Sequence, residues 1–304
     1  MCKKAIRTPS KAYLSDFLRA FGFSEDTKRT LEEAFDRVFA EAEGVRLYDE
    51  IRRRYEKDPD KKFSYLVEIS DKIAEKCKLS PYTAYLLVLA LLSESAKKVY
   101  AKRKASAEMW RRNMFDLKYT CDQCILIKGV CGTHCPDWYR GFFAATRFTF
   151  GKLQFEISRL GKPYKKNGLT LDPEDKVIFI HIPRTGERLL PEDVDESCAA
   201  ASAFFKQKYG IKNVVFACHS WILYPENKKI LSERSNLHSF ISRFDIVDVE
   251  EDTRYKDVWR LFDVEYRGDA DALPQDTSLR RAYAQRIKEC KPLGAALGVW
   301  VYQK

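Results

Sequence analysis

The chain has 304 residues, of which 45% are hydrophobic and 32% are charged. This balance is typical of a globular protein, and it excludes intrinsically disordered and fibrous classes. Lys and Arg outnumber Asp and Glu by 54 to 44, so the net charge is +10. An excess of positive charge favours an anionic partner, which could be nucleic acid, a phosphorylated cofactor or an acidic carrier protein.

The sequence predicts neither a membrane span nor an export signal. The longest apolar run, residues 84–92, is too short to cross a bilayer. The first nine residues carry charge but no apolar segment, unlike a secretory signal. Nine cysteines are an odd number and far fewer than a disulfide scaffold needs. We therefore expect a cytoplasmic protein.

The first part of the sequence, residues 1–140, predicts a helical domain. Apolar residues recur at helical spacing in four segments: residues 16–23, 30–40, 45–55 and 63–77. Ser80 and Pro81 then supply an N-cap and a proline at the first helical position, which predicts a fifth helix through residue 92.

The hydrophobic period changes in residues 141–304, where strands alternate with helices. Strands are predicted at residues 153–157, 177–182, 214–219, 246–249, 259–266 and 298–302. Helices are predicted at residues 193–209, 231–244 and 277–290. A helix joins the second and third strands, so those two are predicted to be parallel neighbours. The fold class is α+β, with an all-helical domain followed by a mixed α/β domain.

Two histidines stand where the predicted parallel strands end. His181 and His219 both fall near a carboxyl end, the edge at which open α/β sheets bind ligands. A neutral imidazole there could take a proton from an amine, and Tyr224 could return one to a leaving group. Each histidine taken alone is better explained as a core residue with satisfied hydrogen bonds. The two together favour a catalytic interpretation, and His181 is the stronger candidate.

A basic loop follows the first of these strands. Arg184, Gly186 and Arg188 precede a predicted helix start, where free N–H groups and the helix dipole attract anions. They could therefore bind a phosphate group. Acidic residues in the first turn, including Asp193, oppose that interpretation, and a polar surface loop is an equal alternative.

The chain resembles a family of two-domain bacterial acyltransferases, which join a helical N-terminal domain to a GNAT-like C-terminal domain. The resemblance covers most of the chain and is densest at residues 151–244. Five segments carry the similarity: residues 151–156 (GKLQFE), 181–183 (HIP), 218–221 (CHSW), 224–225 (YP) and 235–237 (SNL). The resemblance implies transfer of an acyl group from an acyl-CoA or acyl carrier protein thioester to a small-molecule amine.

The resemblance also implies roles for individual residues. Two central strands would separate to admit the pantetheine arm, His181 would be the base, Tyr224 the acid, and Asn236 a donor contact. The loop after the first strand departs from the family pattern, because it lacks the glycine-rich phosphate cradle. Pro191 also removes an N–H group where the cradle needs one.

Four cysteines lie within fifteen residues: Cys121, Cys124, Cys131 and Cys135. Two short pairs of thiolates can hold a structural zinc ion in a tetrahedron, with His134 competing for the fourth position. An iron–sulfur cluster is a lesser alternative. The other interpretation is that the cysteines are enriched here without a metal.

A basic segment, residues 97–118, contains interleaved aromatic side chains that could stack on nucleotide bases. Such a segment is more often the solvated face of a helix, so nucleic acid is not the expected partner. The sequence predicts an N-acyltransferase. The alternatives are a zinc-bearing nucleic-acid-binding protein and a GNAT-like protein that binds a ligand without catalysis.

Overall fold

The computed structural model describes residues 8–166 and 168–303. The chain divides after Arg147 into two compact units. The first unit is helical, and the second is built on a mixed β-sheet.

The first unit contains eight described α-helices. They are α1 (Lys11–Ala20), α2 (Glu25–Ala40), α3 (Ala42–Lys57), α4 (Ser64–Cys77), α5 (Pro81–Lys102), α6 (Ala107–Met114), α7 (Asp116–Lys128) and α8 (Arg140–Phe143), the last preceded by a 3-10 turn, Pro136–Tyr139.

Local chemistry fixes where these helices begin. The Ser10 and Ser24 hydroxyls accept backbone N–H groups at the starts of α1 and α2. Pro81 occupies the first position of α5, as its sequence predicts. Most of α5 is buried, including the apolar run at residues 84–92, so that run forms the centre of the helical core.

The second unit has eight strands and five described α-helices. In chain order they are β1 (Arg147–Phe150), β2 (Leu153–Arg159), β3 (Tyr164–Lys166), β4 (Leu169–Leu171), β5 (Lys176–His181), α9 (Pro191–Tyr209), β6 (Val215–Ser220), α10 (Glu226–Ile230), α11 (Asn236–Ile241), β7 (Asp245–Asp252), α12 (Trp259–Phe262), α13 (Ser278–Lys288) and β8 (Leu293–Val301), with a 3-10 turn, Trp221–Leu223, after β6.

Six strands form one sheet in the order β1-β2-β5-β6-β8-β7, and β3 pairs with β4 in a separate hairpin. β5 and β6 are parallel, and α9 connects them, as the sequence predicts. β2 is antiparallel to β5, and β8 is antiparallel to both β6 and β7.

The two faces of the six-stranded sheet have different neighbours. On one face the β3–β4 hairpin packs against side chains such as Val177, Ala217 and Val299; we call this the hairpin face. On the other, Phe204 of α9 contacts Phe150 at 5.1 Å between ring centroids, beside Phe155 and Phe216; we call this the helix face.

Two sequence-based element predictions are wrong. Residues 259–266 were predicted as a strand but begin with the short helix α12, because the buried Val258 and Phe262 lie four residues apart on one helical face. Residues 231–244 contain only α11, which starts late because the Ser235 hydroxyl caps it.

Within residues 8–166 and 168–303, no individual helix combines the length and the hydropathy that crossing a bilayer requires. Helices α4 and α5 would meet both requirements only as a pair, and a bend of 117° separates them.

Candidate active site

The central parallel strands pair over only part of their length. The ladder between β5 and β6 joins Ile178 to Phe216 and Phe179 to Ala217. β5 continues beyond it to His181, and β6 continues to Ser220. The two carboxyl ends are held by their outer neighbours, β2 and β8, instead of by each other. The strands β5 and β6 are therefore unpaired with each other at the carboxyl edge of the sheet, and we call this unpaired interval the opening.

His181 stands beside this opening and contacts a carboxylate. Its Nε2 lies 2.8 Å from Oε1 of Glu156 on β2. Both side chains are mostly buried, with 20% of the His181 side chain and 16% of the Glu156 side chain exposed. The Phe179 ring stacks near the imidazole, with 6.5 Å between ring centroids. The arrangement pairs a proton acceptor with a carboxylate that can stabilise its charged form.

His219 lies on the same face of the sheet as His181. Phe179 pairs with Ala217, and each histidine follows two residues later, so both imidazoles project on the hairpin face. His219 is more open, with 45% of its side chain exposed, and its Nε2 lies 3.7 Å from Oε2 of Glu250. The structure thus places both predicted histidines at one edge, with His181 in the tighter environment.

Tyr224 is on the opposite side of the sheet. Its ring fills the space where a side chain at Gly294 would project, on the helix face of β8. Its hydroxyl donates to Oε1 of Glu251 on β7 at 2.6 Å. Burial, and then this hydrogen bond, raise the pKa of Tyr224 to about 12. β6 and β8 separate the hydroxyl from the opening, so the geometry does not support Tyr224 as the acid predicted there.

The predicted phosphate-binding residues have other contacts. Arg184 pairs with the mostly buried carboxylate of Asp263, which Arg280 also holds at 2.6 Å. Gly186 lies in the left-handed region at φ +80°, with open space around it, and the Arg188 carbonyl accepts from Lys152 Nζ at 3.2 Å. The structure does not gather these three side chains into a cradle.

The N-terminus of α9 is occupied by the chain's own charges. Asp193 accepts the Leu190 N–H at 3.1 Å and pairs with Lys152 Nζ at 3.0 Å, and Lys152 also pairs with Glu187 at 3.1 Å. The lysine, followed by the Leu190 N–H, lowers the pKa of Asp193. A carboxylate held at this position disfavours a pyrophosphate there, which agrees with the departure seen in the sequence.

Asn236 is the first residue of α11, where Ser235 accepts the His238 N–H at 3.1 Å. The helix lies on the helix face, since the ring of Phe240 packs against Phe244 and the ring of Phe244 packs edge-on against Trp300. The structure therefore does not bring Asn236 beside His181 on the hairpin face.

The four clustered cysteines are not arranged as metal ligands. Cys121 and Cys124 are buried on α7, and the Sγ atoms of Cys121 and Cys131 are 3.9 Å apart. Across the described residues, no group of three or more His, Cys, Asp or Glu side chains could hold a metal ion. The Cys131 carbonyl instead accepts the Thr83 hydroxyl at 2.6 Å, which ties this loop to the start of α5. The geometry of the described residues gives the zinc hypothesis no support.

Two basic residues of the segment 97–118 have partners within the chain. Lys97 lies over the rings of Tyr13 and Trp110, at 5.1 and 4.5 Å from their centroids. Arg112 pairs with Glu108 at 3.0 Å. Trp110 packs edge-on against Phe21 in the helical core, so it is not presented for base stacking. This result disfavours the nucleic-acid alternative.

Each of the two units matches the model of a known protein family. Residues 12–145 match the N-acyltransferase N-terminal domain, and residues 148–300 match the GNAT-like C-terminal domain. The chain belongs to the two-domain family that joins these domains. This confirms the resemblance found in the sequence and the α+β fold class. No curated protein matches the sequence.

Solved structures share the fold over nearly the whole chain. An acyltransferase variant in complex with octanoyl-CoA has a TM-score of 0.75 at 19% identity, covering 99% of this chain and 91% of that one. An acyltransferase in complex with decanoyl-CoA and teicoplanin has a TM-score of 0.73, at the same identity and coverage. A third, with decanoyl-CoA, has a TM-score of 0.59 at 18% identity, covering 95% of this chain and 99% of that one.

Two residues of the site were missed by sequence reasoning. Glu156 was recognised only as part of a similar segment, and Lys152 was not singled out. Both lie on or beside β2, and their partners are 25 and 41 residues away in the chain. The alternation of β2 shows that Glu156 faces away from Phe155, but only the pairing register places it against His181.

Proposed function

We propose that this protein is an N-acyltransferase that moves an acyl group from an acyl-CoA thioester to a small-molecule amine. The opening between β5 and β6, with His181 at its edge, is the observation that carries the proposal. A slot between parallel strands can admit a narrow pantetheine arm, and strand ends beyond a ladder offer backbone groups that can bind it.

The chemistry needs little beyond orientation and one base. The amine nitrogen attacks the thioester carbonyl, a C–N bond forms, and the C–S bond breaks as the thiolate leaves. His181 takes the proton lost by the nitrogen, and the imidazolium returns it to the thiolate to give the free thiol. A thiol ionises near pH 8.5, so the thiolate is a good leaving group and the reaction does not require Tyr224 as an acid.

The opening between β5 and β6 suits an acyl-thioester donor better than the loop between β5 and α9 does. The opening suits the pantetheine and thioester portion, which acyl-CoA and an acylated carrier protein have in common. The N-terminus of α9, filled by Asp193 and Lys152, gives no support for a pyrophosphate contact there. We infer that recognition depends mainly on the arm and the acyl chain. The related structures were solved with eight- and ten-carbon acyl groups, so we propose medium-chain donors.

The first experiment measures donor binding by thermal shift with free CoA, octanoyl-CoA and decanoyl-CoA. A ligand that binds the folded state at a hundred times its Kd stabilises it by about 2.7 kcal/mol, which raises the melting temperature. We expect a larger shift with the acylated donors than with free CoA. No shift with any of the three, together with no acyl transfer to a panel of amines, would refute the proposal.

The second experiment removes the base. We expect His181→Ala to reduce kcat by about 100-fold or more, the range for general-base catalysis, while the melting temperature stays near that of the wild type. His238→Ala removes an imidazole from α11 and is the matched control, with no expected loss. His219→Ala is expected to cost less than His181→Ala, because His219 is more exposed and more loosely paired. Full activity of His181→Ala would remove His181 from the mechanism.

A further inference from the structure

The contact between His181 and Glu156 is fixed by the sheet itself. β2 pairs with β5 so that Gln154 lies opposite His181 and Glu156 lies opposite Phe179. Glu156 and His181 are therefore diagonal neighbours on one face, close enough for side chains to interact. The 2.8 Å separation of Oε1 and Nε2 is that of a charge-assisted hydrogen bond.

Other ionisable side chains also lie on the hairpin face of the neighbouring elements. On β6, across the opening, His219 projects on the same face and lies near Glu250. The carboxylates of β7 nearest the hairpin, Asp245 and Asp248, are paired with Lys166 and Lys162. Among these groups, Glu156 is the carboxylate in hydrogen-bond contact with the His181 ring.

We propose that Glu156 is the positioning residue for His181, an inference that rests on the proposed acyl transfer. Its carboxylate accepts the Nε2–H of the neutral imidazole, which fixes the ring orientation and puts the lone pair on Nδ1. When Nδ1 accepts the amine proton, the carboxylate stabilises the imidazolium. Glu156 itself stays ionised, exchanges no proton with the substrate, and makes no bond to the acyl group.

Steady-state kinetics of Glu156→Gln test the role in turnover. The substitution keeps the size and a hydrogen-bonding oxygen but removes the charge. We expect kcat to fall roughly 10- to 100-fold, by analogy with carboxylates that orient metal-bound histidines, with little change in KM for either substrate. We also expect the acid limb of the pH–rate profile to move roughly one unit to lower pH, because the charged imidazole loses its stabilising partner.

Glu174→Gln is the matched control. Glu174 pairs with Arg159 at the other end of the same β2–β5 ladder, at 2.7 Å, and both side chains are exposed. This variant loses a carboxylate from the turn that leads into β5, and its kcat and pH profile should match the wild type. Equal profiles for Glu156→Gln and the wild type would overturn the proposal, as would the same displacement in both variants.

Nitrogen-15 NMR of the wild type tests the geometry without any turnover. The proposal requires that neutral His181 carry its proton on Nε2, assigned by comparing spectra with those of His181→Ala. A proton on Nδ1 would overturn it, even if Glu156→Gln did not fold. The proposed function would fail on its own if no acyl transfer occurred while the Nε2–H form was seen, so the two failures are distinguishable.

Discussion

The phenol of Tyr224 follows the second central strand, the position where an acid would be expected. Its hydroxyl is engaged by Glu251 of an outer strand, and the ring packs against the backbone at Gly294. Glycine at that position leaves room for the ring, since an added Cβ would lie 2.6 Å from a ring carbon. The local sequence gives the position of a residue along the chain, whereas the direction of its side chain depends on which strands lie beneath it.

Tyr224→Phe should therefore affect stability more than catalysis. The variant loses the hydrogen bond to Glu251 and a longer one, at 3.4 Å, that the hydroxyl accepts from Arg286. We expect this loss to lower the free energy of unfolding by about 1 kcal/mol, while kcat stays within about threefold of the wild type. Urea unfolding and steady-state kinetics measure the two effects. A hundredfold loss of kcat at unchanged stability would return the hydroxyl to the reaction.

His181 and Glu156 show what sequence reasoning can and cannot reach at this scale. His181 was predicted because it ends an apolar run followed by proline, a pattern that marks a strand end. Glu156 lies 25 residues earlier, and its contact depends on the antiparallel register of β2 and β5. A shift of one residue in that register would turn Glu156 to the other face, and the side-chain pattern alone does not exclude it.

The cysteine-rich segment illustrates the same limit for a whole element. Its spacing is that of a metal knuckle, yet Cys121 and Cys124 lie on α7, and Cys131 and Cys135 lie on a loop that packs against the start of α5. The Thr133 N–H donates to the Tyr82 carbonyl at 3.0 Å, and the Thr83 hydroxyl donates to Cys131. The backbones approach so closely that an added Cβ on Gly132 would lie 2.3 Å from the carbonyl carbon of Tyr82.

Gly132→Ala should separate the loop from α5. Neither backbone can yield easily, so we expect a loss of about 2–3 kcal/mol in the free energy of unfolding, as for an overpacked core. Gly22→Ala is a suitable comparison in the same helical unit. Gly22 has φ +66° and open space around it, so only the left-handed backbone strain of about 1 kcal/mol applies. Equal losses in urea unfolding would show that the close approach does not matter.

Some helices and strands begin where residues nearby in the sequence determine, and others where contacts with distant residues determine. The helix start at Pro81 depends on side chains within a few residues, and the sequence was sufficient to predict it. The sequence predicts a strand at residues 259–266. Burial of Val258 and Phe262 against α13 and its neighbours, at positions far along the chain, makes the segment helical instead.

Across the whole molecule, many tyrosines are buried, and this determines how the protein responds to alkali. Burial raises the pKa of Tyr65 to about 12, and it raises those of Tyr55 and Tyr100 further still. An unfolded tyrosine ionises near pH 10. Between these values the unfolded chain releases protons that the folded chain retains, so the folded state is progressively disfavoured.

We therefore expect the free energy of unfolding to fall as the pH rises above about 10, with no contribution from these tyrosines at lower pH. Urea unfolding at a series of alkaline pH values, followed together with the ultraviolet absorbance of tyrosinate, measures the effect. Tyrosinate absorbance should rise with the loss of structure instead of before it. Ionisation of all tyrosines near pH 10 in a fully folded protein would contradict this prediction.

The sequence was sufficient to predict the fold class, because the fold class follows from the spacing of apolar residues. That spacing changes after residue 140, from the period of helices to the alternation of strands. The separation of β5 and β6 was not accessible from the residues themselves. Both strands are apolar, and nothing in their side chains shows that their ladder stops at Phe179 and Ala217. The resemblance to a family supplied that expectation.

Because the ladder between β5 and β6 is short, the six-stranded sheet consists of two halves joined only by that ladder. One half contains β1, β2 and β5, and the other contains β6, β8 and β7. Antiparallel ladders run along the strands within each half. A small rotation of one half relative to the other, about the β5–β6 ladder, would widen the opening without breaking a hydrogen bond within either half. The range of acyl-chain widths that the protein accepts would then depend on how easily the two halves rotate. A covalent crosslink between β5 and β6 would narrow that range.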